Sequence, residues 1–331
     1  MSLPDWHSAQ FQRLIAAKAK LPHALLLSGP AGIGKLAFAR ALARALLCEA
    51  PEGDGRACGQ CTACAWFETG THPDFRQIEP EPTDKDDEEG GRKTSIGVEQ
   101  VRALTDFINM SSHRGGAKTI VVQPAEALNV NAANALLKGL EEPPPRTFFL
   151  LVSHRPHHLL PTIRSRCQQI ALGAPDTATA TAWLAKQGVR DAGLALAHMG
   201  NAPLLALELE QSGYWGARTA FLTQLARPEL DVFAAAQAAD GCPIPHIVAW
   251  LQKWSYDVAH YRTLGCVRYN PDYAEAIARA SNAAAPLDVL RFHREMVKVQ
   301  RTAQHPLNPR LFVEDVLLAY RDLFESQGAA A

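Results

Sequence analysis

The chain has 331 residues, 47% of them hydrophobic, with 33 Lys and Arg against 34 Asp and Glu for a formal net charge of −1. That apolar share suffices for packed cores and excludes a chain disordered throughout. The near-zero charge argues against binding nucleic acid or anionic membranes by charge alone, and the length accommodates two or three domains.

No run approaches the roughly 18 apolar residues of a spanning helix, and the opening MSLPDWHSAQ lacks the basic-then-apolar pattern of a secretory leader. A soluble cytoplasmic protein is expected. Seven cysteines, three of them within CGQCTAC, fit a reducing compartment with a metal site better than a disulfide scaffold.

HALLLSG, from His23, is a short apolar run that predicts a buried strand. It leads into GPAGIGKL, where Gly29, Gly34 and Lys35 stand at the G-x-x-x-x-G-K spacing of a phosphate-binding loop. Such a loop curls backbone N–H groups around phosphate oxygens at a helix N-terminus. Its lysine adds positive charge, and a following Ser or Thr hydroxyl holds Mg2+. Gly29, Gly32, Gly34 and Lys35 could therefore cradle phosphate, but Leu36 offers no oxygen to a metal. A tight strand-to-helix turn without ligand is the competing reading. Residues 36–47, LAFARALARALL, are predicted as a helix with Phe38, Leu42, Ala45 and Leu46 on one face.

Cys58, Cys61 and Cys64 follow at C-x2-C-x2-C spacing, with Cys48 upstream. Thiolates so spaced grip one tetrahedral ion, and Cys48 would complete a four-sulfur set. An iron–sulfur reading wants a further cysteine about four positions on, where Glu68 stands, so structural Zn2+ is the better match. Next comes an acidic stretch, 79–93, with seven acids by Glu89 against Lys85, read as a solvated loop.

ATP hydrolysis also needs acids at the end of a neighbouring strand, one holding Mg2+ and one orienting water. The candidate strand is 119–123, TIVVQ, and it runs into Gln123, Pro124, Ala125 and Glu126. Glutamine and proline supply no carboxylate, and Glu126 lies three residues past the first expected acid, so the fold would have to reposition it. Asn131 is expected to cap a helix through Leu140 that EEPPP ends, and TFFLLVS to form a third strand. Strands alternating with helices imply a mostly parallel sheet with helices on both faces.

HRPHHLLPTIRSRCQQ comes next. His154, His157 and His158 read as surface residues. Arg166 reads either as a surface residue or as an arginine finger reaching a neighbouring subunit's ATP, and the spacing does not choose. From Asp176 strand signals vanish: TATATAWLAKQG, DAGLALAHM and APLLALELEQ read as three short helices to about Gln211. Beyond Gly213 the pattern is helical throughout, with Val248, Leu251, Trp254, Val258 and Tyr261 in one stripe. Trp250, Trp254 and Tyr261 read as packing core rather than a base-stacking platform.

Taken together, HALLLSGPAGIGK, the four cysteines, NAANALLKGLEEPP and the Ser165-Arg166-Cys167 triplet resemble bacterial clamp-loader subunits of the AAA+ class. The resemblance spans nearly the whole chain. It implies an AAA+ RecA-like parallel-sheet domain over 1–172 carrying a four-cysteine zinc module at 48–64, a three-helix lid over 173–211, and an all-helical C-terminal collar for oligomerisation over 212–331. It also implies a hetero-pentamer with motor (gamma/tau) and delta subunits that loads a sliding clamp onto primed DNA, with Cys48, Cys58, Cys61 and Cys64 as zinc ligands. Arg166 matches the arginine that acts in trans on ATP held by the adjacent motor. Ser153 matches a nucleotide-sensing position by resemblance alone, and Lys138 is the candidate for touching duplex DNA.

Leu36, the Gln123-Pro124 pair, and Pro203 in place of a phosphate-reading arginine depart from the motor pattern. All three favour a non-hydrolysing member of the family and leave nucleotide binding by the relic loop in doubt. The alternatives are an active AAA+ motor rescued by Glu126, and a zinc-ribbon nucleic-acid module. The latter is opposed by Glu49, Glu52, Asp54 and Glu68 around the cysteines against Arg56.

Overall fold

The computed structural model describes residues 3–81, 95–113, 116–210, 212–302 and 308–325. Most of the acidic stretch, 82–94, lies outside the described residues. The chain divides into two compact units, 1–175 and 176–331.

The first unit is built on five parallel strands: β1 (Ala24–Ser28), β2 (Phe75–Ile78), β3 (Lys118–Val122), β4 (Thr147–Ser153) and β5 (Gln168–Ala171), in the order β2-β3-β4-β1-β5. The three strands expected from apolar runs are the central ones, buried on both faces. β3 ends at Val122, so Gln123 lies just past it rather than within it. The two strands beyond those expected are the edges. FRQI and QQIA are short and half polar, and so carry no continuous apolar signal.

The helices of this unit are α1 (Ser8–Ala16), α2 (Lys35–Leu47), α3 (Thr62–Glu68), α4 (Val98–Asn109), α5 (Val130–Glu141) and α6 (Pro161–Arg166). Leu25, Leu27, Val121, Leu150 and Val152 face a core shared with α1 and α2. Leu26, Ile120, Val122, Phe149 and Leu151 face the opposite core with α4, α5 and α6. Adjacent residues on each strand thus serve opposite layers, which fixes the register. Phe38, Leu42, Ala45 and Leu46 are all buried, as the predicted helix face requires.

The cap of α5 is Asn129, whose Oδ1 accepts the Ala132 N–H at 2.8 Å, not Asn131. The helix therefore starts two residues earlier than expected, because Asn129 is extended while Val130 is already helical. α4 adds a helix to those expected, although its signal is in the sequence: Val101, Leu104, Phe107 and Ile108 recur at helical spacing and are buried.

The second unit is entirely helical among the described residues: α7 (Thr177–Lys186), α8 (Ala192–His198), α9 (Pro203–Glu210), α10 (Tyr214–Leu225), α11 (Val232–Ala238), α12 (Ile244–Leu264), α13 (Ala274–Ala283), α14 (Pro286–Thr302) and α15 (Pro309–Glu325). Asp176 and Asp191 cap α7 and α8 by accepting the N–H of Thr179 and Leu194. On α12, Val248, Leu251, Trp254 and Val258 are buried and Tyr261 packs partly against the same core. Trp250 and Trp254 are inaccessible, and the Trp254 indole N–H donates to the Tyr320 hydroxyl at 2.7 Å. Neither ring is available to stack on a base.

A buried polar network crosses this unit. The Arg218 guanidinium, wholly inaccessible, donates to both carboxylate oxygens of Asp272 at 2.7 and 2.9 Å and to Asn270 Oδ1 at 2.8 Å. Its Nε–H points to His198 Nδ1 at 3.3 Å, while His198 Nε2 lies 2.9 Å from the Tyr214 hydroxyl. Burial lowers the His198 pKa to about 2, so the ring stays neutral and can accept from arginine. These bonds tie α8 to α10 across the residue-211 boundary that the sequence suggests. Removing one partner of a buried ion pair typically costs about 3–5 kcal/mol. Because Asp272 is 29% exposed, Arg218→Ala should fall near the lower end, about 3 kcal/mol. The check is a lower denaturant midpoint at unchanged slope.

Candidate functional site

The phosphate loop leaves β1 at Ser28, which pairs with Ser153 of β4 and Ala171 of β5, so the ends of three strands surround it. Gly29 has φ +153°, and a Cβ there would stand 2.2 Å from the Leu172 carbonyl oxygen. Only glycine lets the loop pass this close to the end of β5. Gly34 (φ +95°) is the N-cap of α2, and Gly32 also has positive φ.

Lys35 is 2% exposed, and its Nζ donates to its own loop, to the carbonyls of Gly29 (2.8 Å) and Pro30. Burial lowers its pKa to about 8, opposed by the nearby Glu126 carboxylate. Leu36 packs partly against the core shared by α1 and α2, at the position where the phosphate-loop pattern has a metal-binding hydroxyl. A feature invisible in the sequence closes over the loop. The Trp6 indole N–H donates to the Ile33 carbonyl at 3.0 Å, and His7 Nε2 lies 2.8 Å from the same oxygen.

The fold brings Glu126 to this place. A cavity of about 490 Å3 is lined by Ala31 of the loop with Pro124, Glu126, Ala127, His154 and Arg155, and Glu126 is the one acid among them. Glu126 Oε1 accepts the N–H of His154 at 2.9 Å and of Arg155 at 3.1 Å. Burial raises the carboxyl pKa, but hydrogen bonds from its own backbone, the Ser153 side chain and the His154 amide outweigh it, leaving the group below its ordinary value. Glu126 is therefore ionised and ties the end of β4 to the turn after β3. His154 is half-buried beside it rather than on the surface, while His157 and His158 are exposed.

The cysteines lie at the other end of α2. Cys48 follows the helix, Cys58 and Cys61 sit in the loop, and Cys64 lies in α3. The four sulfurs are within 4.8 Å of one another, with Cys48 Sγ 3.6 Å from Cys58 Sγ and 3.8 Å from Cys61 Sγ. Sulfurs about 2.3 Å from a tetrahedral Zn2+ lie about 3.8 Å apart, so the donor set fits that ion. The amides of Gln60 and Cys61 point at Cys58 Sγ and draw its thiol below its ordinary pKa, whereas burial pushes the Cys48 and Cys64 thiols up. A bound ion would cross-link the end of α2 to α3.

Arg166 is the last residue of α6. Its Nη1–H donates to the Thr162 carbonyl at 3.1 Å, and Nη2 stands 2.5 Å from Glu141 Oε1 at the end of α5. The two most distinctive strings of the sequence, LLKGLEEPP and SRC, therefore meet in space.

A family model described as DNA polymerase III, delta subunit matches residues 6–176. The DNA polymerase III subunit delta' of Pseudomonas aeruginosa is 39% identical over 264 residues, covering 78% of this chain and 77% of that protein. The protein of the same name from Escherichia coli is 32% identical over 327 residues, covering 95% and 93%. The chain belongs to the DNA polymerase III subunit delta' family. Among solved structures, a gamma subunit-related protein of Thermotoga maritima is 18% identical, with a TM-score of 0.47 over 95% of this chain and 98% of that one.

For this family member, sequence reasoning finds the loop, the cysteines and the strings that meet at Arg166, but misses three contacts. Trp6 and His7 over the loop, Glu126 beside Lys35, and Glu141 against Arg166 all join segments distant in the chain. Glu141 leaves a trace as part of a string already quoted, and Glu126 as the acid that the fold would have to reposition. No described helix is long and apolar enough to cross a membrane.

Proposed function

We propose that this chain is the non-hydrolysing subunit of the DNA polymerase III clamp loader and supports ATP-dependent loading of the sliding clamp onto primed DNA in the cytoplasm. The observation that carries the reading is the state of the phosphate loop in a chain of this family. The loop keeps its glycines and lysine, yet the positions for Mg2+ and for water activation hold Leu36, Gln123 and Pro124. Lys35 is engaged by its own loop, so Gly29, Gly32, Gly34 and Lys35 serve as a scaffold turn, and the role requires no nucleotide there. The catalytic contribution is Arg166, offered in trans to ATP on the adjacent motor subunit. Cys48, Cys58, Cys61 and Cys64 hold a structural Zn2+.

On this reading 1–172 is the AAA+ domain, 173–211 the lid and 212–331 a collar that assembles with the motor (gamma/tau) and delta subunits into a hetero-pentamer. The collar assignment is supported by Leu287, Leu290 and Val297 on α14 and Leu311 and Leu318 on α15, which are 39–67% exposed. Contact with clamp and DNA comes through the complex.

A second reading, an active ATPase motor, draws on Glu126 at the loop's mouth. The two separate in one experiment: the purified chain with Mg2+ and DNA should turn over no ATP, and adding it to motor and delta subunits should raise DNA-stimulated hydrolysis. Turnover by the chain alone, lost in Lys35→Ala, would establish the second reading instead.

A further inference from the structure

Arginine is long and freely rotating, and a finger that wanders contributes little, because stabilising a transition state requires its charge to be in place beforehand. What fixes Arg166 is therefore a question the fold should answer. The backbone on both sides of the Arg166–Glu141 pair is anchored. Leu140, beside Glu141, and Ile163 and Cys167, around Arg166, are buried in one core with Leu136 and Leu159. The Leu140 carbonyl lies 3.0 Å from His23 Nε2, just before β1, and two residues beyond Arg166 the chain enters β5, which pairs with β1. Both ends of the ion pair are thus anchored to the same strand.

The Arg166 side chain is only 35% exposed. Nη1 is bound to Thr162 O within α6, and Nη2 is bound to Glu141 on another helix. Among the described residues, the Glu141 carboxylate is the contact that holds this side chain across the α5–α6 joint.

We propose that Glu141 is a positioning residue for Arg166, its carboxylate holding the guanidinium in a single geometry at the end of α6. The inference rests on the arginine-finger reading of Arg166. It also gives a physical reason for the company of the two strings: one supplies the finger and the other supplies what orients it. A half-exposed ion pair contributes little to stability, so loss of Glu141 should leave the fold intact and alter only the placement of Arg166.

The test uses the full clamp-loader complex with clamp and primed DNA, and reads single-turnover ATP hydrolysis together with the motor's ATP affinity. Glu141→Ala should slow hydrolysis roughly 10- to 100-fold, the scale of a small misplacement, at unchanged ATP affinity and unchanged thermal midpoint of the chain. Glu141→Gln, which keeps an acceptor oxygen, should recover part of the rate. In the Arg166→Ala background, Glu141→Ala should have no further effect, because it acts through a group already gone. The proposal is overturned if Glu141→Ala hydrolyses at the wild-type rate while Arg166→Ala does not, or if it causes the same fold-loss in both backgrounds. A wild-type rate in Arg166→Ala would instead remove the finger reading, and this inference with it.

Discussion

Arg166→Ala should lower ATP hydrolysis at one site of the reconstituted clamp loader by about 10³–10⁵-fold, the range over which an arginine finger acts in phosphoryl transfer. The expected loss is confined to the site whose ATP faces this subunit, so total steady-state turnover falls only by that site's share. Transient kinetics resolve the remainder. Assembly should be unaffected, because Arg166 lies on the sheet unit, whereas the exposed apolar residues offered for association lie on α14 and α15. Arg166→Lys should rescue poorly: an ammonium cannot hold Glu141 and Thr162 O with one planar fork and still present further donors. Clamp loading at the wild-type rate by the alanine variant would end the proposed role.

The second large effect concerns the four sulfurs. Structural Zn2+ contributes apparent free energies on the order of 10–16 kcal/mol at pH 7 in small zinc-finger peptides, because binding and ordering are one event. The 48–64 segment has the same logic. Its loop is largely polar, whereas α3 reaches the core through Ala63, Cys64 and Phe67. The Phe67 ring packs 4.6 Å from that of Phe75 on edge strand β2, so disorder in the module should spread to that edge. Cys48→Ser is therefore expected to lose its zinc to a chelator that leaves the wild type with its ion bound, and to melt at lower temperature. Metal analysis and a thermal scan check both. Since the ion binds thiolates, zinc retention should weaken as pH falls and the thiols are protonated. Full zinc retention by the variant through chelation would take Cys48 out of the ligand set.

These two expectations draw on different levels of the chain. The cysteine quartet, the loop and the missing acids are matters of spacing along the sequence and can be counted there. The three central strands are equally legible, because a strand buried on both faces must be apolar without interruption. β2 and β5 are not, since an edge strand is held by pairing with its neighbour and its own residues need not be apolar. Asn131 stands where a cap is expected and Asn129 serves, because both are good caps and only the helix start decides between them.

The sequence by itself determined which side chains stand in the phosphate loop and after β3: no arrangement of the fold can draw a metal ligand from the Leu36 side chain or a carboxylate from Gln123 and Pro124. Tertiary structure alone decided where the remaining charges stand. Glu126 reaches the mouth of the phosphate loop, Arg218 meets His198 and Asp272, and Glu141 meets Arg166. Each of these joins residues on separate elements, brought together by sheet register and helix packing, and no local periodicity encodes such a meeting.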